Sequence, residues 1–342
     1  MMIVWLAALA ALILYQVRID GFHEGFLDRQ TTDSIKGVFI LIVLLSHARS
    51  YVFAGEGALN AAYNAFFVWL GQLMVAMFLF YSGYGCLESF KNKEKYLDTF
   101  LKKRVGRTLF HFVLAVALYA VLNVILKIQY PAKNYLFCWI AWESIGNSNW
   151  YIFTILVLYL MSWLAFSLEK SSGRKGLISI PAVSILCVAY IYFMHKAGKE
   201  TWWYDTALCF PCGMAVSFLK PYFLPRIGKN AWWASWTILA AAAFILLYNM
   251  GGLWFFPCAC VFCLLVVLVT ARVRIGNRLL GWAGKHLFEI YILQRLPMIV
   301  LSQLSVKNPM VFVAVSLTAT LLLAAAFHRF TEKLDTLVFP AG

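Results

Sequence analysis

The sequence predicts an all-α, polytopic membrane bundle of about eleven spanning helices. Apolar runs of spanning length recur along the whole chain of 342 residues, at about 1–16, 35–53, 65–87, 107–126, 149–168, 177–194, 203–219, 231–249, 253–271, 286–304 and 310–328. Charged residues make up only 13% of positions, about half the usual quarter. The runs are continuous rather than alternating, and a bilayer forbids unpaired backbone, so helices fit and barrel strands do not. The first and seventh runs are the shortest. The first lacks a basic start, and Tyr15-Gln16-Val17-Arg18 is a poor cleavage site, so it reads as a helix rather than a removed secretory signal.

The formal charge of +14 collects in alternate loops. Arg18, Arg29 and Lys36 precede or open the second run, and a dense cluster from Lys91 to Arg107 follows the third. Smaller groups lie at Lys170–Lys175, Lys220–Lys229, Arg272–Lys285 and Arg329–Lys333. Under the positive-inside rule these loops are cytoplasmic, with the N-terminus outside and the C-terminus inside. The basicity is therefore topological, which removes the reason to expect nucleic acid as a partner. A cell membrane, crossed many times, is the expected location. Residues 1–30 form an extra N-terminal helix and cytoplasmic loop, and 31–342 one membrane domain. The long segment 127–148, rich in Tyr and Trp, is expected to cap the opposite face.

Eight cysteines lie in or beside the spans. Cys209-Phe-Pro-Cys212 has redox spacing and Cys258-Ala-Cys260-Val-Phe-Cys263 is a cluster, but no His or acidic residue accompanies them. They read as small helix-packing residues, and no metal is expected.

The stretch Asp33-Ser34-Ile35-Lys36-Gly37 to His47 carries the chemistry. Eleven residues at about 100° each return to within roughly 20°, so Lys36 and His47 share a stripe, roughly 16 Å apart along the axis. That separation puts His47 near mid-depth above a lysine at the membrane face. Such an arrangement suits a long anionic, reactive ligand. In the third run Ser82 can bond across a helix interface, while Gly83 and Gly85 permit close approach. Arg104 and Arg107, three residues apart at the start of the fourth run, share a helical face and could hold phosphate.

These residues resemble the acyltransferase 3 family of integral membrane acyltransferases. Asp33 to Gly37 with His47 is similar to its Asp-x-x-Arg-Gly and Arg-x10-His motifs, and Phe78 to Tyr84 to its Phe-Phe-x-x-Ser-Gly segment. Phe100 to Arg107 resembles its Arg-x-x-Arg, and Asn149-Trp150-Tyr151-Ile152 its Trp-Phe/Tyr step. Leu287 to Gln294 resembles its Ser-Leu-Glu-Ile-Tyr-Leu-Ile-His pattern. Lys36 stands where the family usually has Arg, and Gln294 where many members have His.

The resemblance implies transfer of an acyl group, most often acetyl from acetyl-CoA, to a hydroxyl of a cell-envelope polysaccharide or lipid-linked sugar. His47, deep in an apolar helix, is the candidate general base, since acyl transfer to an alcohol needs a group to take the hydroxyl proton. Lys36, Arg104 and Arg107 are expected to hold the CoA phosphates. Glu289 is expected to orient His47 or the acceptor, Tyr291 to donate a hydrogen bond and Arg49 to meet the acceptor. Asp33, Ser82 and Trp150 are expected to support the site. Acyl-CoA is expected as a donor substrate with no tightly bound cofactor, and the remaining partners are the acceptor and membrane lipids. Two competing classes are a transporter or flippase of a lipid-linked or small anionic substrate, and a silent sensor. Neither a repeat nor paired broken half-helices supports the first, and the second has no use for the Lys36/His47 stripe.

Overall fold

A computed structural model of the chain describes residues 2–19, 21–52, 57–170 and 174–339. Its helices, in chain order, begin with α1 (Ile3–Leu14), α2 (Arg29–Arg49), α3 (Ala58–Leu70), α4 (Leu73–Asn92), α5 (Tyr96–Phe100), α6 (Arg107–Ile125), α7 (Ala132–Phe137) and α8 (Trp150–Leu168). They continue with α9 (Ser179–Lys196), α10 (Cys209–Ile227), α11 (Asn230–Met250), α12 (Phe255–Thr270), α13 (Arg278–Lys285), α14 (Leu287–Leu293), α15 (Arg295–Gln303) and α16 (Pro309–Val338). Among the described residues, eight helical stretches are long and apolar enough to cross a membrane. The first run forms the twelve-residue α1, the seventh becomes α10, and the tenth is split into α14 and α15.

The split has a local cause. Pro297 lacks the N–H that would bond to the Leu293 carbonyl, and the chain breaks at Gln294 between α14 and α15. Pro211 occupies the first turn of α10, where no intrahelical N–H partner is needed. A feature without a sequence signal is a short antiparallel ladder, Arg18–Ile19 on Val273–Arg274, which ties the N-terminal segment to the loop before α13.

Two close helix crossings organise the core. A methyl group at Gly37 would fall on the Leu280 carbonyl oxygen, and one at Gly284 on that of Asp33, so α2 and α13 touch backbone to backbone. The second crossing repeats the device: Gly83 lies against the Phe210 carbonyl and Gly213 against that of Phe80, joining α4 to α10. Such approach is how helices associate where solvent provides no hydrophobic drive. Gly85 faces open space, so only the first of the Gly83/Gly85 pair serves packing.

A carboxylate replaces the missing partners at one helix start. Glu169, fully buried, accepts from the backbone N–H groups of Gly176, Ile178 and Ser179 and from the Ser179 hydroxyl. Glu169→Ala leaves those donors without an acceptor, so it is expected to cost about 3 kcal/mol or more. Thermal unfolding in detergent checks this; an unchanged midpoint would contradict it.

Candidate active site

The site is built on α2, which Gly37 and Gly284 press against α13. Lys36 and His47 project from α2 into two different cavities, one at each end of the bundle. The cavity at the end carrying the basic loops has a volume of about 420 Å³. Lys36, Ser82, Arg107, Tyr151, Glu289 and His328 are among its lining residues. Its charges are already paired. Lys36 Nζ lies 2.7 Å from Asp33 Oδ1, and Arg107 Nε lies 3.2 Å from Asp335 Oδ2. His111 Nε2 donates to the other Asp335 oxygen at 2.9 Å. His328 is bracketed by carboxylates, with Nδ1 2.7 Å from Glu289 and Nε2 3.3 Å from Glu332.

The second cavity, about 610 Å³, opens at the other end. His47 and Arg295 lie in it with Trp142, Trp150 and Trp203 and with the segment 143–149. That segment is fixed from below: Asn123 donates to the Ile145 carbonyl, Asn134 to Ser144 and Asn149 to Ala141. Gly146 takes φ +104° there, a backbone region open to glycine. Lys199 sits between two indoles, 4.1 Å from the Trp142 ring centre and 4.3 Å from that of Trp203, and donates to the Trp142 carbonyl. Burial lowers its pKa from the usual lysine value.

An aromatic layer stands between the cavities. Tyr291, 1% exposed, has its ring centre 6.4 Å from His47 and 5.3 Å from Tyr151, which lines the first cavity. The Tyr291 hydroxyl has no hydrogen-bond partner. His47 Nδ1 likewise lacks one, and so does Oε1 of the adjacent, fully buried Gln294. Those two atoms are complementary when Nδ1 carries the proton. A small adjustment would let the neutral amide accept from that N–H, with Nε2 left as the acceptor.

Several sequence expectations find a different placement. His47 lies within one turn of the C-terminal end of α2 rather than deep within it, because the helix ends at Arg49 instead of continuing to residue 53. Glu289 faces His328 and the Lys36 cavity, whereas the residues beside His47 are Gln294 and Arg295. Arg49 turns onto α3, donating to the Asn64 carbonyl and lying over the Phe67 ring. Arg104 and Arg107 do not act as a pair. A wide π-helical turn over Leu101–Gly106 changes the angle between them, so Arg104 lies over Tyr159 of α8 and Arg107 reaches Asp335 of α16. Asp33 and Lys36 form an ion pair, Ser82 and Trp150 line opposite cavities, and Tyr291 lies between them.

Sequence reading gave no role to Arg295, His328, Asp335, Asn147, Ser148 or Lys199. Arg295 and His328 are ionisable groups in apolar runs, which was a usable signal. The others depend on loop geometry. Among the described residues, no group of three or more His, Cys, Asp or Glu is placed to hold a metal ion.

A helical membrane protein with two opposed cavities, a histidine lining one of them and a tyrosine layer between, defines the class. The acyltransferase domain model of the acyltransferase 3 family matches residues 30–329, and the chain belongs to that family. No curated protein and no solved structure matches it. The chain is thus a membrane acyltransferase.

Proposed function

We propose that the protein transfers an acetyl group from acetyl-CoA to a hydroxyl of a cell-envelope glycan or lipid-linked sugar, with His47 as general base. The observation that carries this reading is the pair of cavities that approach each other at Tyr151, Tyr291 and His47. In this reading the basic-loop end is cytoplasmic, the N-terminus lies outside and the donor enters beside Lys36 and Arg107. A pantetheine arm is comparable in length to the roughly 16 Å between Lys36 and His47. It carries the thioester past the two tyrosines while the phosphates stay at the cytoplasmic mouth. The acceptor arrives through the Trp-lined cavity, whose rings offer flat apolar faces to a sugar.

The chemistry balances as follows. The acceptor oxygen attacks the thioester carbonyl carbon while His47 takes the hydroxyl proton; collapse of the adduct breaks the C–S bond, and the proton passes to the departing thiolate. His328 is the less suitable base for the acceptor, because it lines the donor cavity and both of its nitrogens face carboxylates. Membership in an acyltransferase family sets aside the carrier reading.

Donor binding gives a direct check. Arg107→Gln and Lys36→Gln remove cations from the donor mouth, and each is expected to weaken acetyl-CoA binding by about tenfold. Calorimetry on the purified protein reads the change, and unaltered affinity in both variants would contradict donor entry at this cavity.

A further inference from the structure

The inner surface of the second cavity is unusually rich in donors without acceptors. Arg295 Nε is buried there and has no hydrogen bond. Asn147 is 2% exposed; its Oδ1 accepts from the Ile145 N–H, while Nδ2 has no partner. Ser148 is 3% exposed and its hydroxyl is also unpartnered. Unmade hydrogen bonds at buried groups are costly, and a native protein retains them where a ligand completes them.

Charge narrows the ligand. Among the described residues no carboxylate forms an ion pair with Arg295; its neighbours are His47 and the neutral tyrosines Tyr51, Tyr119, Tyr130 and Tyr291. Two acidic residues, Glu143 and Glu200, also line the cavity, and Glu143 already faces Lys133 at 3.9 Å. A guanidinium keeps its charge at any accessible pH and offers a planar fork of donors matched to an oxyanion. A neutral hydroxyl ligand would leave that charge uncompensated in a low-dielectric site.

We propose that the acceptor is anionic, carrying a carboxylate or phosphate group that Arg295 binds with Asn147 and Ser148, so that Arg295 sets acceptor specificity. Arg295 would thereby fix the acceptor hydroxyl next to His47. The inference rests on the acceptor entering this cavity, as in the function proposed above.

The test measures binding of small probes to the full chain in lipid nanodiscs by quenching of tryptophan fluorescence: glucose, glucuronic acid and glucose 1-phosphate. Wild type is expected to bind at least one of the two anionic probes about tenfold or more tighter than glucose, and the tighter of the two identifies carboxylate or phosphate as the group recognised. Arg295→Gln should erase that preference and Arg295→Lys retain part of it. Asn147→Asp, nearly isosteric, places a negative charge within the cavity and should also erase it. Equal binding of all three probes, no binding of any, or a preference that survives both Arg295→Gln and Asn147→Asp would overturn the proposal. Acetyl transfer is assayed separately. Loss of anion preference with transfer intact refutes only the specificity, whereas anion preference without transfer from acetyl-CoA refutes the donor reading and leaves the binding site standing.

Discussion

His47→Gln is expected to lower acyl transfer by about 10²- to 10⁴-fold while leaving folding and donor binding unchanged. The glutamine fills similar space and can hydrogen-bond, but it cannot accept the hydroxyl proton. No carboxylate holds His47 among the described residues; Gln294 is its adjacent polar side chain, and Arg295 is the neighbouring charge. Gln294→Glu would replace that neutral partner with an anion and favour the protonated imidazole. The pH–rate profile should then shift its ascending limb to higher pH, because a base with a raised pKa loses its proton later. His328→Gln provides the contrast. It removes the partner of Glu289 at the donor cavity and should alter transfer less than His47→Gln does.

Gly83→Ala and Gly284→Ala are expected to destabilise the protein severely, by about 3 kcal/mol or more each, because the added methyl lands on a carbonyl oxygen of the facing helix. The obstacle is backbone, so no rotamer change relieves it. Gly85→Ala supplies the control, since open space surrounds that position and alanine is the better helix former by about 1 kcal/mol. Thermal unfolding with size-exclusion profiles should separate the two sets. Similar midpoints for Gly83→Ala and Gly85→Ala would mean that the helix crossing is not as close as described.

The membrane helices were legible in the sequence because a bilayer imposes one rule on every span. Gly37 reads differently with the structure in hand: within the Asp33-to-Gly37 motif it marks a helix contact against Leu280, while Lys36 beside it points into a cavity. Sequence periodicity placed Lys36 and His47 on one stripe, but it could not reveal the Tyr151/Tyr291 layer between their cavities, since those tyrosines come from α8 and α14. Helical spacing also misjudged Arg104 and Arg107, because a three-residue step shares a face only when the helix is regular, and here a π-helical turn intervenes. Arg295 was visible as an intramembrane charge. The donors that share its cavity were not, because Asn147 and Ser148 lie in a loop whose path is set by hydrogen bonds from Asn123 and Asn134.

Donor and acceptor meeting from opposite ends at His47 is the central claim, and sided transfer in proteoliposomes tests it most directly. Labelled acetyl-CoA is supplied on the side of the basic loops, with an acidic glycan enclosed on the other. The account predicts labelled glycan with wild-type protein and none with His47→Gln. Product formed only when both substrates share one side, or formed equally by the His47→Gln variant, would contradict it.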